Sequence, residues 1–374
     1  MRQVFLGFAL QNALARSAAE QAPESKRAPH WVSESMRVSK SLGAIALVVA
    51  GAAALRVGAR FLQRRHMDGQ VAFVTGGSRG LGLAIAAECA RRGANLAICG
   101  RDAATLERAA KRLRALGAQV VALTCDVRSR GEVAQAILAI RDAYGRLDML
   151  VNNAGIIAVG PLESMTREDY EDALNTHFWA LCNTTEAVLP IFERQGGGRI
   201  VNITSIGGKI SVPHLLPYCV SKFAAVGYSE GLRPALHSKK IAVTTVVPGL
   251  MRTGSPRNAW FKAQHEKEYT WFTLSDTLPG LSITARSAAR AIVDASLRGD
   301  AEIVLSLPAR IAVLANAIAP GFTSAVLELA ARLLPGPGGI ERRKMRGVES
   351  TTRLTESPLT ILGKKAERDY NQIA

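Results

Sequence analysis

The run V-A-F-V-T-G-G-S-R-G-L-G, Val71 to Gly82, decides the fold. A five-residue run, four of it β-favouring, ends at Thr75, and a turn holding three glycines leads into an apolar stretch of helical spacing. That order reads as strand, tight turn, helix. Gly76, Gly80 and Gly82 permit positive φ and close backbone approach, while the first turn of the helix offers unpaired N–H groups to an anion. With Ser78, Arg79 and Leu81 in the same turn, the stretch reads as a cradle for the pyrophosphate of a dinucleotide.

The alternation continues outward. Residues 71–75, 95–99, 119–124, 147–152, 199–204 and 241–247 read as strands. Residues 80–92, 102–116, 129–143, 167–190, 217–237 and 284–298 read as helices. Near-continuously apolar strands alternating with helices predict an α/β fold, a single doubly wound parallel sheet of Rossmann type covered on both faces. The second strand ends Ile98-Cys99-Gly100-Arg101-Asp102. A carboxylate at that tip would grip the ribose hydroxyls of NAD(H); a glycine and Arg101 stand there instead. Arg101 and Arg79 suit a 2′-phosphate, so NADP(H) is preferred over NAD(H). Asp102 reads as the cap of the following helix.

Further along, Ser205 ends an apolar run, and Tyr218 precedes Lys222 by four residues. Four residues is one helical turn, so the phenol and the ammonium share a face. The positive charge favours phenolate and is expected to lower the tyrosine pKa, which makes an acid/base pair. The Ser205 hydroxyl can face the same reacting oxygen.

Composition bounds the partners. At 374 residues and 48% hydrophobic, the chain can bury a sizeable core. Its net charge of +16 lacks the aromatic-interleaved patches or zinc-finger spacings of nucleic-acid binders, so a membrane surface or an anionic cofactor is preferred over nucleic acid. Five cysteines with no C-x-x-C pair read as reduced, buried small side chains.

Together these residues resemble the classical branch of the short-chain dehydrogenase/reductase family over residues 70–306. The likeness rests on T-G-x-x-x-G-x-G at 75–82, Asp126-Val127 and Asn152-Asn153-Ala154-Gly155. It continues through Asn175, Ser205, Tyr218-x-x-x-Lys222, Pro248-Gly249 and Thr253. The resemblance implies an oxidoreductase with Asn175, Ser205, Tyr218 and Lys222 as catalytic residues. Tyr218 would be general acid/base, Lys222 its partner and a ligand of the nicotinamide ribose, Ser205 the group orienting the substrate oxygen, and Asn175 the holder of a relay water. It further implies that Asp126 with Val127 meets the adenine, Asn153, Ala154 and Gly155 line the adenosine side, and Pro248, Gly249 and Thr253 flank the nicotinamide. No metal is implied, and a homodimer or tetramer is. His177, two residues from Asn175, falls on another helix face and reads as a packing or surface residue; His214 is a candidate for the substrate mouth.

The flanks carry the remaining expectations. Residues 1–66 form an N-terminal segment in which the uncharged run Leu42–Leu55, extended to 41–62, reads first as a membrane anchor. A cleaved export signal and an apolar helix packed on the domain are its alternatives. Arg56, Arg60, Arg64 and Arg65 place the following domain on the cytoplasmic side. Residues 67–307 make the catalytic domain, with an aromatic lid over about 250–283. Residues 308–335 read as two apolar helices broken at Pro320-Gly321, for a membrane interface in preference to a second subunit. From Gly336 the tail reads as basic, polar and mobile. The apolar elements suggest a small hydrophobic carbonyl or alcohol substrate, lipid- or steroid-like. The alternative is an NADPH-sensing module without turnover.

Overall fold

The computed structural model describes residues 66–278 and 280–373, together with Gly51. The chain divides after Arg64 into two units, and apart from Gly51 the described residues belong to the second. The anchor expected at 41–62 therefore lies outside the described residues, Gly51 excepted. Among the described residues no helix is long and apolar enough to cross a membrane.

Seven parallel strands form the central sheet: β1 Val71–Thr75, β2 Asn95–Gly100, β3 Val120–Thr124, β4 Met149–Asn152, β5 Gly198–Ile203, β6 Ile241–Pro248 and β7 Glu302–Leu305. Their spatial order is β3-β2-β1-β4-β5-β6-β7. Central strands such as β1 and β4 are buried along their whole length, because helices cover both faces. On one face lie α1 Gly80–Arg91, α2 Ala103–Arg114 and a later helix, Ala285–Arg298. On the other lie α3 Arg130–Tyr144 and the helix Ala180–Gln195. Helix α2 shows why the pattern works: Leu106, Ala109, Ala110 and Leu113 recur on one face and are the ones buried. Asp102 caps it as expected, accepting from the Thr105 N–H at 2.7 Å.

Three elements depart from expectation. Strand β7 was not anticipated; it is a short edge strand with only Leu305 fully buried. The helix expected over 167–190 is α4 Arg167–Leu174, a π turn at Asn175–Trp179 and α5 Ala180–Gln195. The tail packs on the catalytic domain. Its strand Met345–Arg346 pairs antiparallel with Trp260–Phe261, Lys344 Nζ lies 2.8 Å from the buried Asp169 carboxylate, and Tyr370 O accepts from the Gly80 N–H at 2.9 Å. Those contacts order a segment whose composition alone is that of a coil.

Helix α6 spans Leu216–Leu236, α7 His265–Thr277, α8 Ala285–Arg298, α9 Leu307–Ile318, α10 Pro320–Ala331 and α11 Ile361–Asp369. Helices α9 and α10 are the apolar pair, divided at Ala319, and Pro320 opens the second. Only Ala309 of the pair is buried. The five cysteines are free and buried.

Candidate active site

Strand order reverses between β1 and β4, and an open parallel sheet leaves a crevice beyond the strand ends at such a point. A cavity of about 390 Å³ lies there. It takes walls from the turns after β1, β2, β3, β4, β5 and β6, and a roof from α7.

The glycine turn is built for close approach. Gly76 has φ +61°, and a Cβ on it would sit 2.9 Å from Ala154 Cα; one on Gly82 would sit 2.3 Å from the Gly76 carbonyl oxygen. Thr75 ties the turn to β4, its Oγ1 accepting from the Asn153 and Ala154 N–H groups at 2.9 and 3.1 Å. Asn153 Nδ2 returns a bond to Thr75 O at 3.0 Å. Arg79 Nη1 donates to Asn258 Oδ1 at 2.8 Å. The Asp126 carboxylate is gripped by Arg128, whose Nη2 donates at 2.6 Å and holds the acid below its usual range.

The far end carries the reacting groups. Ser205 Oγ accepts from Gly207 N–H at 3.0 Å, and its hydroxyl also bonds the Tyr218 side chain. Lys222 Nζ donates to Ile203 O at 2.9 Å and stands 5.7 Å from the Tyr218 ring centroid. Burial governs the protonation here. It lowers Lys222 to about 7 and raises Tyr218 above its ordinary value, while the Ser205 hydroxyl acts the other way on Tyr218. The expected lowering of the tyrosine by lysine is thus reversed by desolvation of both.

Of the anticipated residues, Gly76, Ser78, Arg79, Gly80, Leu81, Arg101, Asp126, Val127, Asn153, Ala154 and Gly155 border the cavity. So do Ser205, Tyr218, Lys222, Pro248, Gly249 and Thr253. Gly82 lies beneath the turn. Asn175 does not border the cavity: its side chain is exposed. The π turn that starts at Asn175 brings Thr176 and His177 to the wall instead. His177 is buried, accepts from the Ile156 N–H at Nε2 (3.1 Å) and pairs through Nδ1 with Ser221 Oγ (2.7 Å). Its ring meets Tyr218 edge-on at 5.3 Å. Burial, then the Lys222 charge, keep it neutral.

His214 does not border the cavity; its Nδ1 lies 2.8 Å from Glu268 Oε1 on α7 and fastens the lid to the loop before Tyr218. Trp271 and Phe272 of α7 line the substrate side, whereas Tyr269 packs on Phe261 in the lid's own core. Asp276, at the end of the same helix, was not anticipated. Its carboxyl borders the cavity, and burial raises it to about 7. An acid after the apolar W-F-T-L-S run was the only signal for it. Asn258, Arg346 and Gln372 also border the cavity with no local signal at all.

An anion cradle on a strand-to-helix turn, opening into a chamber with a buried tyrosine and lysine, defines a dinucleotide-dependent oxidoreductase site. A family model described as short chain dehydrogenase matches residues 70–263. The protein SadH of Mycobacterium tuberculosis is 34% identical over 275 residues, 72% of this chain and 98% of its own. Sepiapterin reductase of Chlorobaculum tepidum is 30% identical over 241 residues, 63% of this chain and 93% of its own. Among solved structures, a variant of actinorhodin polyketide ketoreductase with NADPH aligns with TM-score 0.56 and 29% identity, covering 63% of this chain and 95% of that one. The chain belongs to the short-chain dehydrogenase family, and it is an oxidoreductase. NADP(H) is the cofactor its site fits: a glycine cradle, two guanidinium groups, and no carboxylate at the tip of β2.

Proposed function

We propose that the protein interconverts a carbonyl and a secondary alcohol on a hydrophobic substrate with NADP(H). The observation that carries this reading is that the glycine cradle with Arg79 and Arg101 and the group Ser205, Tyr218 and Lys222 border one continuous cavity. Bound NADP(H) supplies or accepts the hydride. Ser205 donates its O–H to the substrate oxygen, and Tyr218 delivers the proton to that oxygen in reduction or takes it in oxidation. Lys222, near neutrality in its ordinary buried state, becomes cationic beside an anionic partner and then favours the phenolate. His177 positions the tyrosine: Ser221 Oγ, which it holds, donates to Tyr218 O at 2.7 Å. Val212, Leu215, Leu250, Trp271 and Phe272 supply an apolar wall for the substrate.

The test is NADPH consumption over a panel of carbonyl compounds graded by chain length. Turnover that rises with chain length is the expected result. NADPH binding without turnover on any member would sink the enzymatic reading of this site.

We further propose that the protein associates with a membrane surface. Leu307, Ile311, Leu314 and Ile318 of α9 repeat at the spacing of one helix face, and Phe322, Val326, Leu329 and Leu333 repeat it on and just beyond α10. All eight are exposed. A surface of this kind points to an apolar partner, and the +16 charge, with Arg310 and Arg332 on the pair's own residues, favours anionic headgroups. The pair is fastened to the catalytic side, since Asn316 Nδ2 donates to Lys209 O at 3.2 Å. Co-sedimentation with phosphatidylserine vesicles should fall about tenfold or more when Leu314 and Phe322 are both changed to Glu, roughly the effect of losing two buried apolar side chains. Unchanged sedimentation removes α9–α10 as the contact, and dimer loss in the variant would assign the face to a second subunit.

A further inference from the structure

The C-terminal tail reaches the phosphate end of the cavity at two points. Arg346, in the tail strand, lays its guanidinium 3.8 Å over the Trp260 ring and donates from Nη1 to Asn258 O at 3.0 Å. Arg79, in the glycine turn, donates to the side chain of the same Asn258. Two guanidinium groups are thus tethered to one residue. Arg101, from the tip of β2, is exposed and borders the same cavity. None of the three makes an ion pair among the described residues. The nearest acids are occupied elsewhere: Asp102 caps α2, Asp126 is held by Arg128, and Glu349 accepts from the Arg346 backbone N–H at 2.8 Å.

At the second point, Asn371 Nδ2 donates to Ser78 O at 2.8 Å and to Thr105 O at 3.0 Å. Gln372 bridges Thr253 O (2.9 Å) and Asn258 Nδ2 (2.8 Å). The end of the chain therefore clasps the glycine turn and the residue that carries both arginines.

We propose that Arg346 is a third ligand of the cofactor's 2′-phosphate, acting with Arg79 and Arg101, and that the tail is a working part of the cofactor site. The inference rests on the NADP(H) reading above. Three like charges held around one cavity repel one another until an anion sits between them, and a dianionic phosphate with three equivalent oxygens can accept from several forks at once. Burial lowers the pKa of the partly buried Arg79 and Arg346, and the neighbouring arginine charges act in the same direction on both. Stacking on Trp260 fixes the plane of Arg346 without neutralising it.

Calorimetric titration of the full chain with NADPH and with NADH tests this. In Arg346→Gln the NADPH Kd should rise about tenfold or more, the worth of one charge-assisted hydrogen bond, while the NADH Kd moves less than about twofold. The fragment 2′-phospho-ADP-ribose should weaken likewise and ADP-ribose should not. Arg346→Lys, which keeps the charge and loses the fork, should give a smaller loss with the same selectivity; it carries the test if the glutamine variant does not fold. NADPH affinity unchanged in both variants, or NADPH and NADH weakened equally, overturns the proposal. Arg79→Gln and Arg101→Gln separate the two readings. Selective loss of NADPH in those but not in the Arg346 variants refutes this inference alone, and no selectivity in any of them refutes the NADP(H) preference itself.

Discussion

The two ends of the cavity treat charge in opposite ways. At the phosphate end the side chains of Arg79, Arg101 and Arg346 border one cavity and meet no acid in hydrogen-bond contact among the described residues. At the substrate end burial outweighs every neighbour: Lys222 falls to about 7, Asp276 rises to about 7, Tyr218 is raised and His177 is held neutral. One end is prepared to receive fixed charge, and the other is prepared to move a proton. A group whose two protonation states are close in energy at neutral pH is suited to proton transfer, and desolvation is what brings Lys222 and Asp276 there.

The largest effect that would break this contrast lies at Tyr218. Tyr218→Phe removes the proton at the reacting oxygen and leaves the phosphate end untouched. Turnover should fall about a hundred- to ten-thousandfold with NADPH affinity within about twofold of the parent. Steady-state kinetics and calorimetry on the same preparation check it. Retained turnover would mean that the proton comes from elsewhere in the chamber.

Next in size is Asp276. Its carboxyl titrates near 4 in the unfolded chain and at about 7 in the folded one. Between those values the folded state binds the extra proton, so the contribution to stability is fully present below about pH 4 and is lost as pH rises through 7. Asp276→Asn removes that dependence. The variant should be roughly 2–4 kcal/mol more stable than the parent at pH 8, with the difference vanishing at pH 4. Denaturant unfolding at the two pH values measures it. A difference independent of pH would show that the carboxyl is solvated and that the substrate end is wetter than its lining suggests.

The same division separates what could be read from the chain from what could not. Val71–Thr75, the glycine turn and Tyr218-x-x-x-Lys222 are local patterns, and the strands they lie on or follow fall within a residue or two of their expected bounds. Strand β7 escaped because four residues at a sheet edge, beginning with an exposed glutamate, carry little periodicity. The tail escaped for another reason. Asn371 meets Ser78 across 293 residues of sequence, and Arg346 meets Asn258 across 88. Nothing local marks either residue, and order in that segment exists only once the lid supplies Trp260 and Asn258. The direction of the Tyr218 shift is hidden from the sequence because a pairing of charges is visible in spacing, whereas desolvation depends on what covers the pair.

The smallest expected effect lies at the π turn on the catalytic face. Asn175 opens a π turn, and the extra residue in that turn rotates the helix so that Asn175 faces solvent while His177 faces Tyr218. An exposed side chain with no contact to the cavity can neither hold a relay water there nor support the fold. Asn175→Ala should therefore change kcat/KM by less than about twofold and stability by less than about 0.5 kcal/mol. His177→Ala, by contrast, leaves the Ile156 N–H and Ser221 Oγ without their buried partner and should slow turnover while NADPH still binds. A tenfold loss in Asn175→Ala with the fold intact would mean that the π turn relaxes in the working enzyme and swings Asn175 inward. In that case the arrangement of His177 against Tyr218 is a resting state, and the substrate end is less rigid than the phosphate end that the tail holds.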